Sequence, residues 1–257
     1  MNPYWSSDDG RIVLYHGDMR EVLPALGLTA DLIVADPPYQ ETSLRWDRWP
    51  DGWPAVAAQC SRSMWCFGSL RMFLDRRDEF TSWRLSHDVI WRKQQGSGPA
   101  VADRFVRVHE QPAHWYQGPW SSVYHRPAKV SHTGADRSWA GTVPADRAAH
   151  RGSIGGKSGW ADDGTRLPQS VIEARNLRQR GALHPTEKSE AILDPLIRYG
   201  CPPDGLVLDP FAGSCSTLDC ARTLGMRAVG IEADEAMCEK AVRLRLSVAT
   251  LFDGEAS

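Results

Sequence analysis

The sequence has little net charge and lacks several signatures that would settle its class at once. Its formal charge is −2 over 257 residues, so the overall balance does not by itself indicate a polyanionic partner. No apolar run approaches the ~20 residues that span a bilayer, and the N-terminal stretch lacks the shape of a signal peptide. We therefore expect a cytoplasmic protein that does not enter a membrane. The G-x-x-x-x-G-K-[ST] pattern is also missing, which argues against a phosphate-binding loop.

Cysteine is scarce, and its spacing excludes two common uses. No C-x-x-C pair occurs, and no cysteine neighbours a histidine at the spacing of a zinc site. We predict reduced, mostly buried cysteines that behave as small apolar side chains, and no metal site. The six positions are Cys60, Cys66, Cys201, Cys215, Cys220 and Cys238.

The rest of the composition is that of an ordinary globular protein. Hydrophobic residues make up 42% of the chain and charged residues 24%. The length suits one large domain, or one domain with a sizeable insertion. A chain of this length buries roughly 70–75% of its unfolded surface, so it can fold without disulfides or metal.

Short apolar runs alternate with helical patterns in the first and last parts of the chain. This alternation predicts an α/β fold, with a mostly parallel sheet covered by helices on both faces. In such sheets, ligands bind beyond the carboxyl ends of the strands. The predicted strands are 11–15, 31–35, 64–67, 87–92, 111–116, 206–208 and 227–231, with a Gly/Ser loop at 94–100; the predicted helices are 19–26, 53–62, 70–80, 189–199, 216–224 and 235–248.

Residues 119–183 interrupt the alternation and carry most of the positive charge. They show no sustained period, and ten Lys or Arg outnumber five Asp or Glu, which gives this stretch +5 and leaves −7 for the remainder. So long an irregular stretch is expected to be functional or to become ordered on binding. A basic insertion in an acidic body suits an enzyme that holds a polyanion, although a solvated basic loop gives the same pattern. We therefore divide the chain into 1–118, the insertion 119–183, and 184–257, with the first and last parts forming one domain.

Residues 206–217, LVLDPFAGSCST, have the layout of a nucleoside-cofactor corner. A buried strand runs into Asp209, a tight turn follows at Gly213, and a helix begins near Ser216. Glycine permits a close backbone approach, and the start of a helix offers free N–H groups. The next strand ends in Glu232, where a carboxylate can accept hydrogen bonds from both ribose hydroxyls. Acidic residues at both strand ends favour a cofactor that carries positive charge, such as a sulfonium.

A second unusual strand end is Asp36-Pro37-Pro38-Tyr39. The two prolines make the turn rigid and leave backbone carbonyls without local donors. The Asp36 carboxylate and the Pro37 carbonyl can therefore accept both hydrogens of a planar exocyclic amine, while Tyr39 stacks on its ring. Two acceptors favour the pyramidal amine, which is the form that can attack a methyl group.

These motifs resemble those of the DNA amino-methyltransferases that use S-adenosylmethionine. DPPY is similar to their catalytic motif, and DPFAGS with the later GIE is similar to their cofactor motifs. The catalytic motif comes first and the basic insertion lies between, a circularly permuted order that resembles the beta group of adenine methyltransferases. Residues 184–188 (HPTEK) resemble the HPT-x-K signature of the family, and residues 16–18 (HGD) resemble its short G-D motif. The resemblance implies a Rossmann-like fold, and the insertion corresponds in place to the variable target-recognition region.

The resemblance also implies roles for individual residues. Asp36 and the Pro37 carbonyl, in the turn completed by Pro38, would hold the target amine, and Tyr39 would stack on the base. Glu232 would hold the cofactor ribose. The residues implied to bind S-adenosylmethionine are Asp18, Asp36, His184, Thr186, Lys188, Asp209, Phe211, Gly213, Ser214, Thr217 and Glu232.

One position departs from the family pattern. The family usually reads G-S-G-T-T where this chain has GSCST, so Cys215 replaces a glycine beside the cofactor. If the backbone there needs a positive φ, a Cβ costs about 1 kcal/mol or more. Cofactor affinity and activity are then affected more than the fold.

The function implied is site-specific methylation of the N6 amino group of adenine in double-stranded DNA. The transfer is an in-line displacement that needs alignment rather than a covalent nucleophile, and the base must be flipped out of the duplex. Methylation at a cytosine carbon would need a thiolate from a Pro-Cys pair, which is missing. The insertion supplies candidate contacts to phosphates and guanine: Arg126, Arg137, Arg147, Arg151 and Arg166.

Several alternatives stay open. DPPY rather than SPPY favours adenine, but cytosine N4 remains an alternative, and the motif order disfavours RNA. A DNA- and cofactor-binding module with weakened catalysis is a third reading, which Cys215 motivates. Trp46, Trp49 and Trp53 are either a lid over the site or core aromatics. A homodimer and a separate restriction endonuclease are open questions too, since no nuclease motif is recognisable; the expected setting is the cytoplasm of a bacterium or a phage-infected cell.

Overall fold

The computed structural model describes most of the chain. The described residues are 1–41, 44, 47–97, 103, 105–131, 134, 138–143, 156–174 and 187–247. The chain forms two compact units. The larger comprises Met1–Arg126 and Ser170–Ser257, and the smaller comprises Pro127–Gln169.

Fifteen strands and six α-helices make up the described structure. The strands are β1 (Trp5–Ser6), β2 (Ile12–His16), β3 (Leu32–Ala35), β4 (Ser63–Cys66), β5 (Arg84–Asp88), β6 (Ile90–Ser97), β7 (Arg107–Glu110), β8 (Ala113–Tyr116), β9 (Val130–Ser131), β10 (Trp139–Val143), β11 (Gly156–Trp160), β12 (Thr165–Arg166), β13 (Val171–Glu173), β14 (Leu206–Asp209) and β15 (Arg227–Glu232). The helices are α1 (Met19–Leu26), α2 (Trp53–Ala57), α3 (Leu70–Asp75), α4 (Glu190–Gly200), α5 (Ser216–Thr223) and α6 (Glu235–Ala241).

An eight-stranded sheet forms the centre of the larger unit. Its order is β1-β2-β15-β14-β3-β4-β8-β5. Five consecutive strands of this order run parallel to one another, namely β2, β15, β14, β3 and β4. At one edge β1 pairs antiparallel with β2, and at the other edge β8 pairs antiparallel with both β4 and β5. The mostly parallel, Rossmann-like sheet predicted from the sequence is confirmed.

The centre of the sheet is buried on both faces, and its central strand β3 carries an apolar residue at every position. Along β3, Leu32 and Val34 point into one core cluster and Ile33 and Ala35 into the other, as the two-residue period of a strand requires. Helices α1 and α2 contribute to the second cluster, and α4, α5 and α6 contribute to the first. The predicted helices on both faces are therefore present.

Side-chain caps set where several helices begin. The carboxylate of Asp18 accepts a hydrogen bond from the Arg20 N–H at the start of α1, as predicted. Ser69, Ser189 and Asp234 cap α3, α4 and α6 in the same way. Helix α5 is different, because its cap position is Cys215 and no side chain makes a capping bond there.

Two predicted helices are shorter than their patterns suggested. Helix α2 ends at Ala57, because the chain then turns toward the sheet. There the Cys60 carbonyl accepts a 2.7 Å hydrogen bond from the Ala30 N–H. Helix α3 ends at Asp75, and a 3₁₀ turn at Arg77–Phe80 follows and carries Phe80 into the core. The last predicted helix also changes, since α6 continues after Ala241 as a π-helical turn over Val242–Leu246.

The predicted strand 87–92 is two strands in two sheets. The Val89 N–H bonds the Pro112 carbonyl at 2.9 Å, and the next residue, Ile90, bonds the Ser170 carbonyl at 2.7 Å. The chain therefore leaves the large sheet after β5 and enters a three-stranded sheet of order β13-β6-β7. The loop predicted at 94–100 is also wrong for residues 94–97, which continue β6.

The smaller unit is built from short antiparallel pairs in its described part. Strands β10 and β11 pair over five residues each, and β9 pairs with β12 over two. An ion pair between Lys129 and Asp163, at 2.6 Å, lies beside the second pair. Strands this short leave no sustained period, which is why the sequence pattern of 119–183 reads as irregular. Among the described residues of the whole chain, no helix is long and apolar enough to cross a membrane.

Candidate active site

Three acidic residues follow neighbouring parallel strands at one edge of the large sheet. Ile33 of β3 is in register with Leu208 of β14, and Asp209 of β14 is in register with Gly230 of β15. Asp36 lies just beyond the end of β3, Asp209 ends β14, and Glu232 ends β15. The carboxyl ends of parallel strands share one edge, so the two motif corners meet there although about 170 residues separate them in the chain.

The DPPY turn is held together by its own first and last residues. The Tyr39 hydroxyl donates a 2.7 Å hydrogen bond to Oδ1 of Asp36. Tyr39 packs against both core clusters, and burial together with the Asp36 carboxylate raises the pKa of its phenol well above its ordinary value. The phenol therefore stays protonated and keeps donating to Asp36. Pro37 is buried, and Pro38 is half-buried.

Lys188 lies against the other oxygen of the same carboxylate. Its ammonium pairs with Oδ2 of Asp36 and, at 3.3 Å, with Oε2 of Glu110. The ammonium also lies 5.0 Å from the centre of the Phe67 ring. Burial opposes the charge, but the two carboxylates outweigh it and raise the pKa of Lys188. The structure thus places Lys188, predicted at the amino-acid end of the cofactor, in direct contact with the DPPY aspartate.

Asp209 is the most perturbed carboxyl of the corner. It is 4% exposed, accepts a 3.0 Å bond from the Phe211 N–H, and is hydrogen-bonded by Thr217. Its pKa is raised to about 7, chiefly by burial; the hydrogen bonds from Thr217 and the Phe211 N–H oppose this rise, and the charges of Asp36 and Glu232 add to it. Such a carboxyl gains most from a positively charged ligand, which would favour its ionised form.

Glu232 connects the glycine turn to the end of β15. Its Oε2 accepts the Gly213 N–H at 2.7 Å, and its Oε1 accepts the Asp234 N–H at 2.8 Å. The Gly213 backbone has a φ of +49°, which glycine adopts readily. Each carboxylate oxygen keeps a further lone pair, so Glu232 can still accept hydrogen bonds from a ligand. Ser214 is buried beside this turn.

Cys215 has a left-handed backbone conformation, which glycine adopts most readily, and glycine is the usual residue at this position of the family motif. Its φ is +59° and its ψ +27°, and its side chain is fully buried. The turn nevertheless closes, because Cys215 N–H bonds the Ala212 carbonyl at 2.7 Å and its own carbonyl accepts the Asp219 N–H at 3.0 Å. The fold therefore accommodates the Cβ of Cys215, and the backbone strain that this Cβ causes is confined to the turn.

Aromatic packing supports the cofactor corner from behind. Trp53 is fully buried, with its ring 5.2 Å from that of Phe211 and nearly perpendicular to it. Trp49 is 7% exposed, and its indole N–H donates to Glu79 at 2.6 Å. Both tryptophans are core aromatics rather than a lid; Trp46 lies outside the described residues.

The remaining predicted positions are less directly placed. Asp18 accepts several bonds from Arg20, including one at 3.0 Å from its Nε, so the carboxylate that caps α1 is already paired. The end of β2 does reach the site edge, since Gly17 N–H bonds the Glu232 carbonyl at 2.9 Å. His184 and Thr186 lie outside the described residues.

A surface cavity opens beside the DPPY turn. Its volume is about 580 Å³, which is within the range of ligand pockets. Tyr39 and Gln40 form one side, and the rest of the lining is rich in charged groups. The other lining residues are Glu41, Arg71, Met72, Asp75, Arg76 and Arg107.

Sequence reasoning missed two charged residues that belong to the site. Glu110 of β7 pairs with Lys188, and Lys93 of β6 pairs with Glu110 in turn. Neither lies in a recognised motif, and both come from the region where the strand prediction was wrong. The one available signal was the alternation that places Lys93 on the same side of its strand as the fully buried Trp91.

Comparison with known proteins gives a consistent result. The chain is 24% identical over 276 aligned positions to the Type II methyltransferase M.ScaI of Streptomyces caespitosus, covering 97% of this chain and 86% of that protein. A segment of 72 residues is 40% identical to the DNA adenine methyltransferase YhdJ of Escherichia coli K12, covering 28% and 24% of the two chains.

Solved structures share the fold. The complex of M1.HpyAVI with SAM matches with a TM-score of 0.60 at 20% identity, covering 90% of this chain and 98% of that one. The PvuII DNA methyltransferase, described as cytosine-N4-specific, matches with a TM-score of 0.63 at 14% identity, covering 99% and 90%. A family model described as DNA methylase, N6_N4_Mtase, matches residues 30–243, which is more than half of the chain. The protein therefore belongs to the N6/N4 DNA methylase family.

Proposed function

We propose that this protein transfers a methyl group from S-adenosylmethionine to the N6 amino group of adenine in double-stranded DNA. The observation that carries the proposal is the meeting of the DPPY turn and the 209–217 corner at one sheet edge, with the Asp36 carboxylate close enough to Asp209 to raise its pKa. The motif order further supports a member of the beta group of these enzymes.

The acidic corner suits S-adenosylmethionine. Burial raises the pKa of Asp209 and of Glu232 beside the turn, so a sulfonium bound there would favour their ionised forms and be stabilised by them. When bound, the cofactor supplies an activated methyl carbon, which the amine nitrogen takes by in-line displacement as the S–C bond breaks. Glu232 holds the ribose, and Asp209, Phe211, Gly213 and the 214–217 turn line the rest.

The DPPY turn makes the amine reactive. The Asp36 carboxylate and the Pro37 carbonyl accept its two hydrogens, which localises the nitrogen lone pair for attack. The Tyr39 hydroxyl and the Lys188 ammonium fix the orientation of that carboxylate from both oxygens. The nitrogen becomes positively charged as it bonds the methyl carbon, and it loses a proton afterwards. An anionic Asp36 stabilises that developing charge.

The target base reaches the site by leaving the duplex. Extrusion costs a few kcal/mol, which stacking on Tyr39 and contacts to phosphates offset. The cavity of about 580 Å³ supports this step, because it opens beside the Tyr39 ring on which the base would stack. The basic residues of 119–183 are the remaining candidates for the grip on DNA.

We propose adenine rather than cytosine as the target base because the motif begins with aspartate. Family members that act on cytosine N4 typically have serine at that position. The relatives do not settle the base, since one is named an adenine methyltransferase and another a cytosine-N4 enzyme. Operation as a homodimer or with a separate restriction endonuclease, and a cytoplasmic setting, remain expectations.

The test measures transfer of a radiolabelled methyl group from S-adenosylmethionine to unmethylated genomic DNA. We expect incorporation by the wild type and none by Asp36→Ala, with cofactor binding by calorimetry largely intact in the variant. Unchanged turnover in Asp36→Ala would remove this residue from the mechanism. Cofactor binding by the wild type without methyl incorporation would instead identify a binding module that has lost catalysis.

A further inference from the structure

A chain of four alternating charges extends from the DPPY aspartate into the three-stranded sheet. Asp36 pairs with Lys188, Lys188 pairs with Glu110, and Glu110 pairs with Lys93. The Lys188 side chain is 6% exposed, that of Glu110 11% and that of Lys93 17%. Only Asp36, at 28%, opens toward solvent. The network of four charges therefore runs from the mostly buried Lys93 and Glu110 to the Asp36 carboxylate, which is the proposed reactive end.

Charges this deep in a protein are costly unless they are paired. Burial alone would favour the neutral form of Glu110, yet its two lysine partners outweigh burial and lower its pKa. Lys93 lies 4.9 Å from the centre of the buried Trp91 ring, which further fixes its position. The charges of the two lysines and the two carboxylates sum to zero, so removal of any one of them leaves a net charge.

We propose that Glu110, held by Lys93, is a positioning residue for methyl transfer. This inference rests on the proposed function, because its effect passes through Lys188 to the Asp36 carboxylate. Lys188 divides its ammonium between Glu110 and Asp36. Glu110 thereby holds Lys188 in place, and its charge offsets that of Lys93 near the carboxylate that must accept the amine hydrogen.

The proposal predicts a specific consequence of losing the Glu110 charge. In Glu110→Gln, Lys188 and Lys93 keep two positive charges against the single negative charge of Asp36. Lys188 then loses its Glu110 partner, and the net positive charge of the four positions opposes the cation that develops on the amine nitrogen. We expect this to lower the rate by about a hundredfold, the effect of a misplaced reacting group, while the basic residues proposed to hold DNA are untouched.

The experiment measures the single-turnover rate of methyl transfer to unmethylated genomic DNA, with cofactor and DNA dissociation constants measured separately. For Glu110→Gln we expect a rate about a hundredfold lower at saturating cofactor, with the DNA dissociation constant within about twofold of wild type. The double variant Lys93→Met/Glu110→Gln removes one charge of each sign, and we expect it to recover at least about tenfold of the lost rate. Asp194→Asn is the control, because it breaks the Arg198–Asp194 pair on the surface of α4, outside the insertion, and is expected to leave the rate unchanged.

Each outcome decides the proposal. A Glu110→Gln protein that folds and transfers methyl within about twofold of the wild-type rate overturns it, as does a double variant no faster than the single one. If Glu110→Gln does not fold, Glu110→Asp replaces it: its shorter side chain withdraws the carboxylate from Lys188, so we expect a lower rate, and a wild-type rate in Glu110→Asp overturns the proposal. A wild type that methylates no DNA would refute the proposed function itself, whereas an active wild type with an inactive Asp36→Ala and a fully active Glu110→Gln refutes this inference alone.

Discussion

The cysteine in the cofactor corner can be tested for backbone strain by a pair of substitutions. Cys215→Ala and Cys215→Gly both remove the buried sulfur, so they differ only in the Cβ. At a φ of +59° that Cβ is unfavourable, and we expect Cys215→Gly to be about 1 kcal/mol more stable than Cys215→Ala. For a chain of this size the difference corresponds to a melting temperature about 2–4 °C higher.

The control for this pair lies in the helix that the turn begins. Cys220 is also buried but lies inside α5, where the backbone is right-handed. There glycine is expected to be the less stable of the two variants by about 1 kcal/mol. Both pairs are compared by thermal unfolding. If glycine were the less stable variant at position 215 as well, the strain assigned to this corner would be absent.

Function at this corner is expected to tolerate the cysteine. The wild-type turn already makes its backbone bonds, at 2.7 Å and 3.0 Å, with Cys215 in place. We therefore expect Cys215→Gly to change the dissociation constant of S-adenosylmethionine by less than about threefold, which is under 1 kcal/mol. A much larger gain in affinity would show that the cysteine impairs cofactor binding.

Three further predictions concern charge and stacking. Burial raises the pKa of Asp209 from 3.8 to about 7, so the folded protein keeps a proton that the unfolded chain releases; the free energy of unfolding should fall as pH rises across this window, and melting curves of Asp209→Asn should lack that contribution. Neutralising Arg126, Arg147 and Arg166 should weaken DNA binding and reduce the slope of log K against log salt by up to about 2.7; an unchanged slope would show that the insertion does not hold DNA. Tyr39→Phe, which keeps the ring, should retain more DNA affinity than Tyr39→Ala, which loses about 1–3 kcal/mol of stacking; equal losses would argue against stacking.

Sequence reasoning worked best where local pattern and tertiary structure agree. The run 31–35 is apolar at every position, and such a run in an alternating α/β pattern has few places other than the centre of a parallel sheet. The cap at Asp18 and the helix that follows were predicted at the observed residues because capping is a local interaction. The two strand ends with unusual chemistry followed from the same pattern.

The errors arose where long-range pairing decides the structure. Nothing local in 87–92 indicates that the chain changes sheets at Val89, because its partners there are Pro112 and Ser170. The same pairing brings Glu110 to Lys188, so the charge network could not be predicted without the fold. Cys215 shows the converse case, since the family motif correctly indicated a position that needs a positive φ even though this chain has no glycine there.

The most direct test of the central claim is the identity of the modified base. Unmethylated DNA is treated with the enzyme and S-adenosylmethionine, digested to nucleosides and analysed by mass spectrometry, with Asp36→Ala as the blank. We expect N6-methyl-2′-deoxyadenosine in the wild-type sample and none in the Asp36→Ala sample. N4-methylcytosine in its place would contradict the adenine assignment, and an equal yield from Asp36→Ala would contradict the catalytic role of the DPPY turn.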